Sequence, residues 1–221
     1  MKTVDVYIVR HGETYFNVFH EFQGWGDTPL TDRGHQQLAA TATALRNHTF
    51  QRIYTSDTTR AVDSAAQIQT TNRWHLPVTS LKTLREHFYG SFEGQSVAHT
   101  WELIARAHGC QTYADLVAQY SVDATQDMLQ AVDPSGLAET SADFWARFEQ
   151  GLMQIYDQSA GDQPVLLISH SSNIRALIAR YAPNLLDPLT PENSKITRIQ
   201  LTATPTLAVT VAYYNQTTAT H

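Results

Sequence analysis

The stretch Pro164-Val165-Leu166-Leu167-Ile168-Ser169 is apolar without alternation. A strand of that kind is buried on both faces, which occurs almost only where helices cover a largely parallel sheet from either side. The segment therefore points to an α/β fold, and the rest of the chain agrees, because short β-branched runs alternate with longer helical patterns. Val4 to Val9, Arg52 to Thr55 and Pro77 to Leu81 read as further strands. Ile196 to Thr202 and Leu207 to Tyr213, parted by Pro205, read as an antiparallel pair closing one edge of the sheet. Thr31 is placed to cap a helix of about 15 residues carrying Leu38, Ala42 and Leu45. Ser56 is placed to cap a second, with Ala61, Ala65 and Ile68 on one face, and a third runs from about Asn173 to Tyr181 before Pro183. The expected architecture is a three-layer αβα sandwich around a mostly parallel mixed sheet.

Between Ser96 and about Thr140 the pattern changes. Helical stretches around Trp101 to Ile104 and Tyr113 to Tyr120 give way to a polar passage through Asp123, Asp127 and Asp133-Pro134-Ser135-Gly136. This reads as a helical cap insertion, about residues 95–140, in a single domain spanning 1–221. With 221 residues and 42% hydrophobic content the chain can bury one substantial core and is short for two. The last seven residues read as a frayed tail.

Charge narrows the function. Fifteen Lys and Arg against 21 Asp and Glu give a net charge of -6, which argues against a broad nucleic-acid or acidic-membrane face. No apolar run reaches the ~20 residues of a membrane span. The first apolar run contains Asp5 and meets Arg10 too early for a signal peptide. A single cysteine, Cys110, allows neither an internal disulfide nor a thiolate metal cluster. A soluble, cytoplasmic protein is expected. Ten histidines stand beside only three lysines, so the chemistry is sought among the imidazoles.

Arg10-His11-Gly12-Glu13-Thr14 follows the first strand directly. Ligands of open α/β sheets bind beyond the carboxyl ends of the strands, so these side chains are delivered to the reactive edge. A histidine there can serve as nucleophile, base or metal ligand, and an arginine offers forked donors to phosphate or carboxylate. The competing reading is a surface loop with a chance charge cluster. After the second strand, Arg60 falls in the first turn of a helix, where the macrodipole disfavours a cation unless an anion binds; the alternative is a local Asp57–Arg60 pair. After the apolar strand comes Ser169-His170-Ser171-Ser172, whose histidine is either a ligand-facing group or a hydrogen-bonded core residue. Glu86, in Leu84-Arg85-Glu86-His87-Phe88-Tyr89, sits among aromatic residues whose burial would favour its acid form, or else it pairs with Arg85. Together these strand ends describe a small anion pocket holding two imidazoles and a proton donor.

The order and spacing of these segments closely resemble the histidine phosphatase superfamily, in its phosphoglycerate-mutase-like branch. The matching residues are Arg10-His11-Gly12-Glu13-Thr14 with Asn17, Gln23-Gly24-Trp25-Gly26-Asp27-Thr28-Pro29-Leu30-Thr31 with Gly34, Ser56-Asp57 with Arg60-Ala61, Glu86 with Gly90 and Glu93-Gly94, and Ser169-His170. The resemblance implies a phosphohistidine mechanism. His11 would be the nucleophile, Arg10, Arg60 and His170 would surround the phosphoryl oxygens, and Asn17, Gln23 and Gly24 would add contacts. Glu86 would protonate the leaving oxygen and then activate water. Phosphoryl transfer asks a protein mainly for positioning and positive charge, so neither a metal nor another cofactor is required.

No Walker A loop, G-x-S-x-G elbow, H-E-x-x-H helix or cysteine-phosphatase loop occurs in the chain. Between phosphatase and mutase, the cap decides. The family's mutases place two adjacent arginines and a lysine there, whereas residues 95–140 hold Arg106 as their one fixed cation against Glu102, Asp115, Asp123, Asp127, Asp133 and Glu139. The expectation is a metal-independent phosphomonoester phosphatase for a small phosphorylated metabolite with a neutral or weakly charged leaving group. A phosphoglycerate mutase is the alternative, and an inactive phospho-ligand scaffold ranks below both because His11 and Glu86 are present. Trp101, Tyr113 and Tyr120 either contact the leaving group or pack the cap. Oligomeric state is not legible in the sequence.

Overall fold

The β-branched runs assemble one six-stranded sheet, seen in a computed structural model that describes residues 2–186, 191–203 and 205–219. In chain order the elements are β1 (Val4–Arg10), α1 (Tyr15–Phe19), α2 (Asp32–Leu45), β2 (Ile53–Thr55), α3 (Thr59–Asn72) and β3 (Val78–Ser80). Then come α4 (Val97–Ala107), α5 (Tyr113–Gln119), α6 (Val122–Val132), α7 (Ser141–Gln158), β4 (Val165–Ser169), α8 (Ser171–Tyr181), β5 (Ile196–Ala203) and β6 (Leu207–Gln216). The strands lie in the order β3-β2-β4-β1-β5-β6. β1 through β4 run parallel, and β5 and β6 add an antiparallel edge.

Side-chain alternation in the central strands sorts the core into two layers. Val4, Val6 and Ile8 of β1, with Val165 and Leu167 of β4, pack against Phe144, Phe148 and Leu152 of α7 and Ile174, Leu177 and Ile178 of α8. Tyr7, Val9, Leu166 and Ile168 face the other way, onto Leu38, Ala42 and Leu45 of α2 and Ala61, Ala65 and Ile68 of α3. This is the three-layer sandwich that the apolar run demanded. A third, smaller apolar cluster, built from Phe22, Tyr89, Ile104, Ala105, Leu116 and Leu129, holds α4, α5 and α6 together.

The cap region departs from its sequence reading in one place. The passage through Asp123 and Asp127 is not irregular but is α6, whose buried Val122, Thr125, Gln126 and Leu129 recur at helical spacing beneath a polar outer face. The long amphipathic α7 that follows, capped by Thr140 and Asp143, has no counterpart among the helices expected from the sequence. At the C-terminus, β6 extends to Gln216 and takes in two of the seven residues assigned to a tail, because Ile196 and Gln216 pair across the edge. Residues 220 and 221 of that tail lie outside the described residues. No helix among the described residues is long and apolar enough to cross a membrane.

Candidate active site

Register brings the reactive groups together. β1 and β4 are aligned so that Arg10 lies opposite Ser169, and the residues that follow, His11 and His170, emerge side by side at the carboxyl edge. Their ring centroids are 5.3 Å apart with planes inclined by 57°. β2 ends level with them, since Thr55 pairs with Ile168, and this sets Ser56 and the start of α3 against the same edge.

The His11 Nδ1 lies 2.8 Å from the carbonyl oxygen of Gly12. A carbonyl can only accept, so the proton resides on Nδ1 and the Nε2 lone pair is left open. That lone pair accepts from the Arg60 Nε at 3.3 Å. Burial first, then the guanidiniums of Arg60 and Arg10, hold the imidazole well below its ordinary range. The ring is therefore neutral at physiological pH, with its nucleophilic nitrogen at the pocket floor.

Arg60 is fully buried, and every donor of its guanidinium is engaged. Besides His11 it donates to the carbonyls of Gln23, Gly24 and Gly26 at 3.2, 2.7 and 2.9 Å, to Asp27 Oδ1 at 3.1 Å and to His170 Nδ1 at 3.2 Å. The conflict between a cation and a helix N-terminus is met within the chain by Asp27, whose other oxygen accepts the backbone N–H groups of Thr59 and Arg60. The local Asp57–Arg60 pair considered from the sequence is not formed, because Asp57 is taken by Arg85 at 2.6 Å. Ser56 likewise does not cap the helix: α3 begins at Thr59, and the Ser56 hydroxyl instead lies 2.8 Å from His170 Nε2.

Arg10 is buried with its guanidinium on the carbonyl of Pro191, and its Nε has no hydrogen-bond partner among the described residues. Burial lowers its pKa to about 10, which leaves the charge intact near neutral pH. Glu86, only 3% exposed, does not pair with Arg85. Its two oxygens accept the backbone N–H groups of His87 and Ser172, each at 2.9 Å, and burial raises its pKa above the ordinary carboxyl value. A raised pKa favours the protonated form that a general acid uses.

Several supporting groups had no role in the sequence reading. Arg147 of α7 donates to the carbonyls of Thr83, Arg85 and Glu86 at 3.1, 2.7 and 2.8 Å and grips Glu139 through two donors at 2.6 and 2.7 Å. It fixes the backbone that carries Glu86. Glu93 gathers the N–H groups of Gly24, Trp25, Gly26 and Tyr89, which shapes the loop whose carbonyls hold Arg60. Asn193 reaches the carbonyl of His11 at 3.0 Å and Asn17 Oδ1 at 3.1 Å. One local signal existed for Arg147: a cation on the apolar face of an amphipathic helix beside Phe144 and Phe148. Asn193 had none.

The remaining expected site residues divide. Asn17 lines the cavity and accepts from Thr14 N–H at 3.2 Å. Gln23 also lines it, with its amide held by Thr14 and Thr28. Gly24 does not line the cavity: its N–H donates to Glu93 and its carbonyl accepts from Arg60, so it positions Arg60 instead of offering the open pocket a donor. A Cβ there would stand 2.2 Å from the His87 carbonyl oxygen, a distance no side chain tolerates.

Above this floor opens a cavity of about 650 Å³, walled in part by Phe16, Phe22, Tyr89, Trp101 and Tyr113. Trp101 and Tyr113 pack on each other at 4.5 Å and also face the cavity, whereas Tyr120 lies away from it, beside His108. The acidic cap inferred from charge counting is largely neutralised. Asp123 pairs with Arg180 and Glu139 with Arg147, while Asp115, Asp127 and Asp133 accept backbone N–H groups. Of the six acidic residues only Glu102 lines the cavity, and it pairs with Arg106. Among the described residues no group of three or more His, Cys, Asp or Glu could hold a metal ion.

The sequence profile of the histidine phosphatase superfamily (branch 1) matches residues 6–212. The fructose-2,6-bisphosphatase TIGAR B of Danio rerio is 30% identical over 200 residues, covering 84% of this chain and 77% of that protein. The 2,3-bisphosphoglycerate-dependent phosphoglycerate mutase 2 of Gloeobacter violaceus is 28% identical over 196 residues, or 87% of this chain and 80% of the relative. Among solved structures, a phosphoglycerate mutase from Bacillus anthracis superposes with a TM-score of 0.89 at 28% identity, covering 98% of this chain and 94% of that one.

Proposed function

The chain belongs to the histidine phosphatase superfamily, and from that premise we propose that it is a phosphomonoester phosphatase working through a phosphohistidine at His11. The observation that carries the reading is the locked tautomer of His11, whose Nε2 lone pair meets Arg60 in a ring that lines the same cavity as Arg10 and the buried Glu86. The His11 Nε2 attacks phosphorus in line as the leaving oxygen takes the proton of Glu86. Arg10 and Arg60 exchange their present partners for the phosphoryl oxygens, His170 adds a third contact, and Asn17 and Gln23 border the same space. Glu86, now a carboxylate, takes a proton from water as that water attacks the phosphohistidine. Two guanidiniums supply the charge that a metal supplies elsewhere, so the reaction is metal-independent.

The substrate is a small phosphorylated metabolite, and the negative net charge argues against nucleic acid as a partner. A cytoplasmic setting suits a chain whose single cysteine has no second one to pair with. The whole chain acts as one catalytic domain, with residues 95–140 as its cap. Phosphatase is preferred over mutase because the cap side chains facing the cavity, among them Val97, Trp101, Tyr113 and Gln126, include no lysine or arginine. The close superposition on a phosphoglycerate mutase keeps mutase as the second reading.

The deciding experiment is a panel of phosphomonoesters, with 3-phosphoglycerate and its bisphosphate among them, assayed on wild type and His11→Ala. Phosphate release without isomerisation, lost in His11→Ala together with an acid-labile, base-stable phosphoenzyme, is the expected result. Isomerisation outrunning release would establish the mutase, and full activity in His11→Ala would end the phosphohistidine reading.

A further inference from the structure

The hydrogen bonds around His170 have a direction. Arg60 can only donate, so the His170 Nδ1 that it meets at 3.2 Å bears a lone pair, and the ring proton of this neutral imidazole sits on Nε2. Nε2 then donates to the Ser56 hydroxyl oxygen at 2.8 Å. The Ser56 hydroxyl oxygen also accepts the Thr58 N–H at 3.4 Å, and its own proton goes to Thr58 Oγ1 at 2.9 Å. His170 and Ser56 are both fully buried, so no solvent exchanges for these partners in place.

This arrangement is wrong for holding a phosphoryl group. When Arg60 turns to an anion, a bare Nδ1 lone pair would face its oxygens, and two negative surfaces would meet. Either the ring gains a proton, or it exchanges one tautomer for the other. The surroundings favour the exchange: burial and the guanidiniums of Arg60, Arg147 and Arg10 oppose a charged ring at this position, whereas the hydroxyl on Nε2 can accommodate either neutral tautomer. A hydroxyl, unlike a carboxylate or an amide, serves equally as acceptor and donor.

We propose that Ser56 is a positioning residue that sets the tautomer of His170 and reverses it when a phosphoryl dianion enters. Water that enters with the anion gives a proton to Nδ1 while the Nε2 proton passes to the Ser56 oxygen, the proton of Ser56 passes to the Thr58 oxygen and that of Thr58, which is slightly exposed, leaves to water, so that with no net change of charge Ser56 donates to Nε2 and Thr58 donates to Ser56. His170 thereby becomes a neutral donor to the anion. The inference rests on the phosphatase reading of the site.

Sulfate is the probe, being a dianion that does not titrate near neutral pH. In ¹⁵N-labelled wild type, nitrogen shifts of His170 should report protonated Nε2 in the free protein and protonated Nδ1 with sulfate bound. Calorimetry in buffers of different ionisation enthalpy should detect no proton uptake on binding. Ser56→Ala removes the amphoteric partner and should weaken sulfate binding by about 10-fold or more, while Ser56→Thr should restore part of the loss. An imidazolium in the complex, with one proton taken up, or an unchanged tautomer, would overturn the inference while leaving His11 chemistry standing. Failure of sulfate to bind wild type at all would overturn both this inference and the phosphatase reading.

Discussion

Replacing Asp27 by alanine removes two interactions at once, and their magnitudes can be worked separately. The first is the ion pair with Arg60 at 3.1 Å, between a side chain that is 0% exposed and one that is 23% exposed. At an effective dielectric of ~20 the Coulomb attraction is about 5 kcal/mol, and the hydration that the partly exposed Asp27 gave up on folding, together with the carbonyls that Arg60 retains, leaves a net loss of about 1–2 kcal/mol. The second is the cap of α3, because Asp27 accepts the N–H groups of Thr59 and Arg60 while Thr58, at the formal cap position, makes no side-chain cap bond. A lost cap costs about 1 kcal/mol. The variant should therefore lose about 2–3 kcal/mol of stability in urea, or about 5–10 °C in Tm for a chain of this size.

Activity separates Asp27 from Arg60 itself. In Asp27→Ala the guanidinium retains the carbonyls of Gln23, Gly24 and Gly26, so it stays near its place. The value of kcat/KM should fall about 10-fold, against about 100- to 1,000-fold for Arg60→Ala, which deletes a group aimed at the developing charge. Two results would refute this reasoning. Wild-type stability and kcat/KM in Asp27→Ala would mean that the carbonyls alone fix Arg60. An activity loss equal to that of Arg60→Ala would mean that they do not fix it at all.

His87 is fully buried and neither ring nitrogen has a hydrogen-bond partner among the described residues; burial lowers its pKa to about 4. Since the unfolded ring titrates near 6.5, the folded protein resists protonation, and stability present above that value is lost as pH falls toward about 4, by about 3 kcal/mol from this residue. His87→Phe should flatten that part of the pH–stability curve measured by denaturant titration; an unchanged slope would show the ring to be accessible. Gly24→Ala should destabilise by at least about 2 kcal/mol and reduce kcat/KM, because the new methyl meets the His87 carbonyl and displaces the loop that holds Arg60; soluble wild-type-like protein would contradict the packing. For Glu86, the active acid form is lost as pH rises through its elevated pKa, so kcat/KM should fall on the alkaline side and Glu86→Gln should abolish that limb together with most of the activity.

The fold was legible where periodicity was strong. The unalternating strand at 165–169 required helices on both faces, and the residues just beyond the strands, Arg10, His11 and His170, with Arg60 at the start of α3, were legible as candidates for one edge of the sheet, each beside a competing reading. Reading failed where a polar residue had an inward job. Ser56 has the composition of a cap but turns to His170, and Asp123 and Asp127 look like a loop although the buried side of α6 repeats at helical spacing. The acidic count of the cap misled for the same reason, since a charge in sequence carries no sign of its partner, and Arg180, Arg147 and backbone N–H groups absorb most of it.

What the sequence determined by itself was which residue types arrive at the carboxyl edge of the sheet, because strand periodicity and the residues just beyond each strand are local properties of the chain. Only the tertiary structure decided their protonation and direction. The Gly12 carbonyl places the proton of His11 on Nδ1, Arg60 joins two imidazoles through their lone pairs, and the amides of His87 and Ser172 hold Glu86 in a dry pocket. Those states depend on burial and on partners up to 114 positions away, as Ser56 is from His170, and no local pattern encodes a distance of that kind.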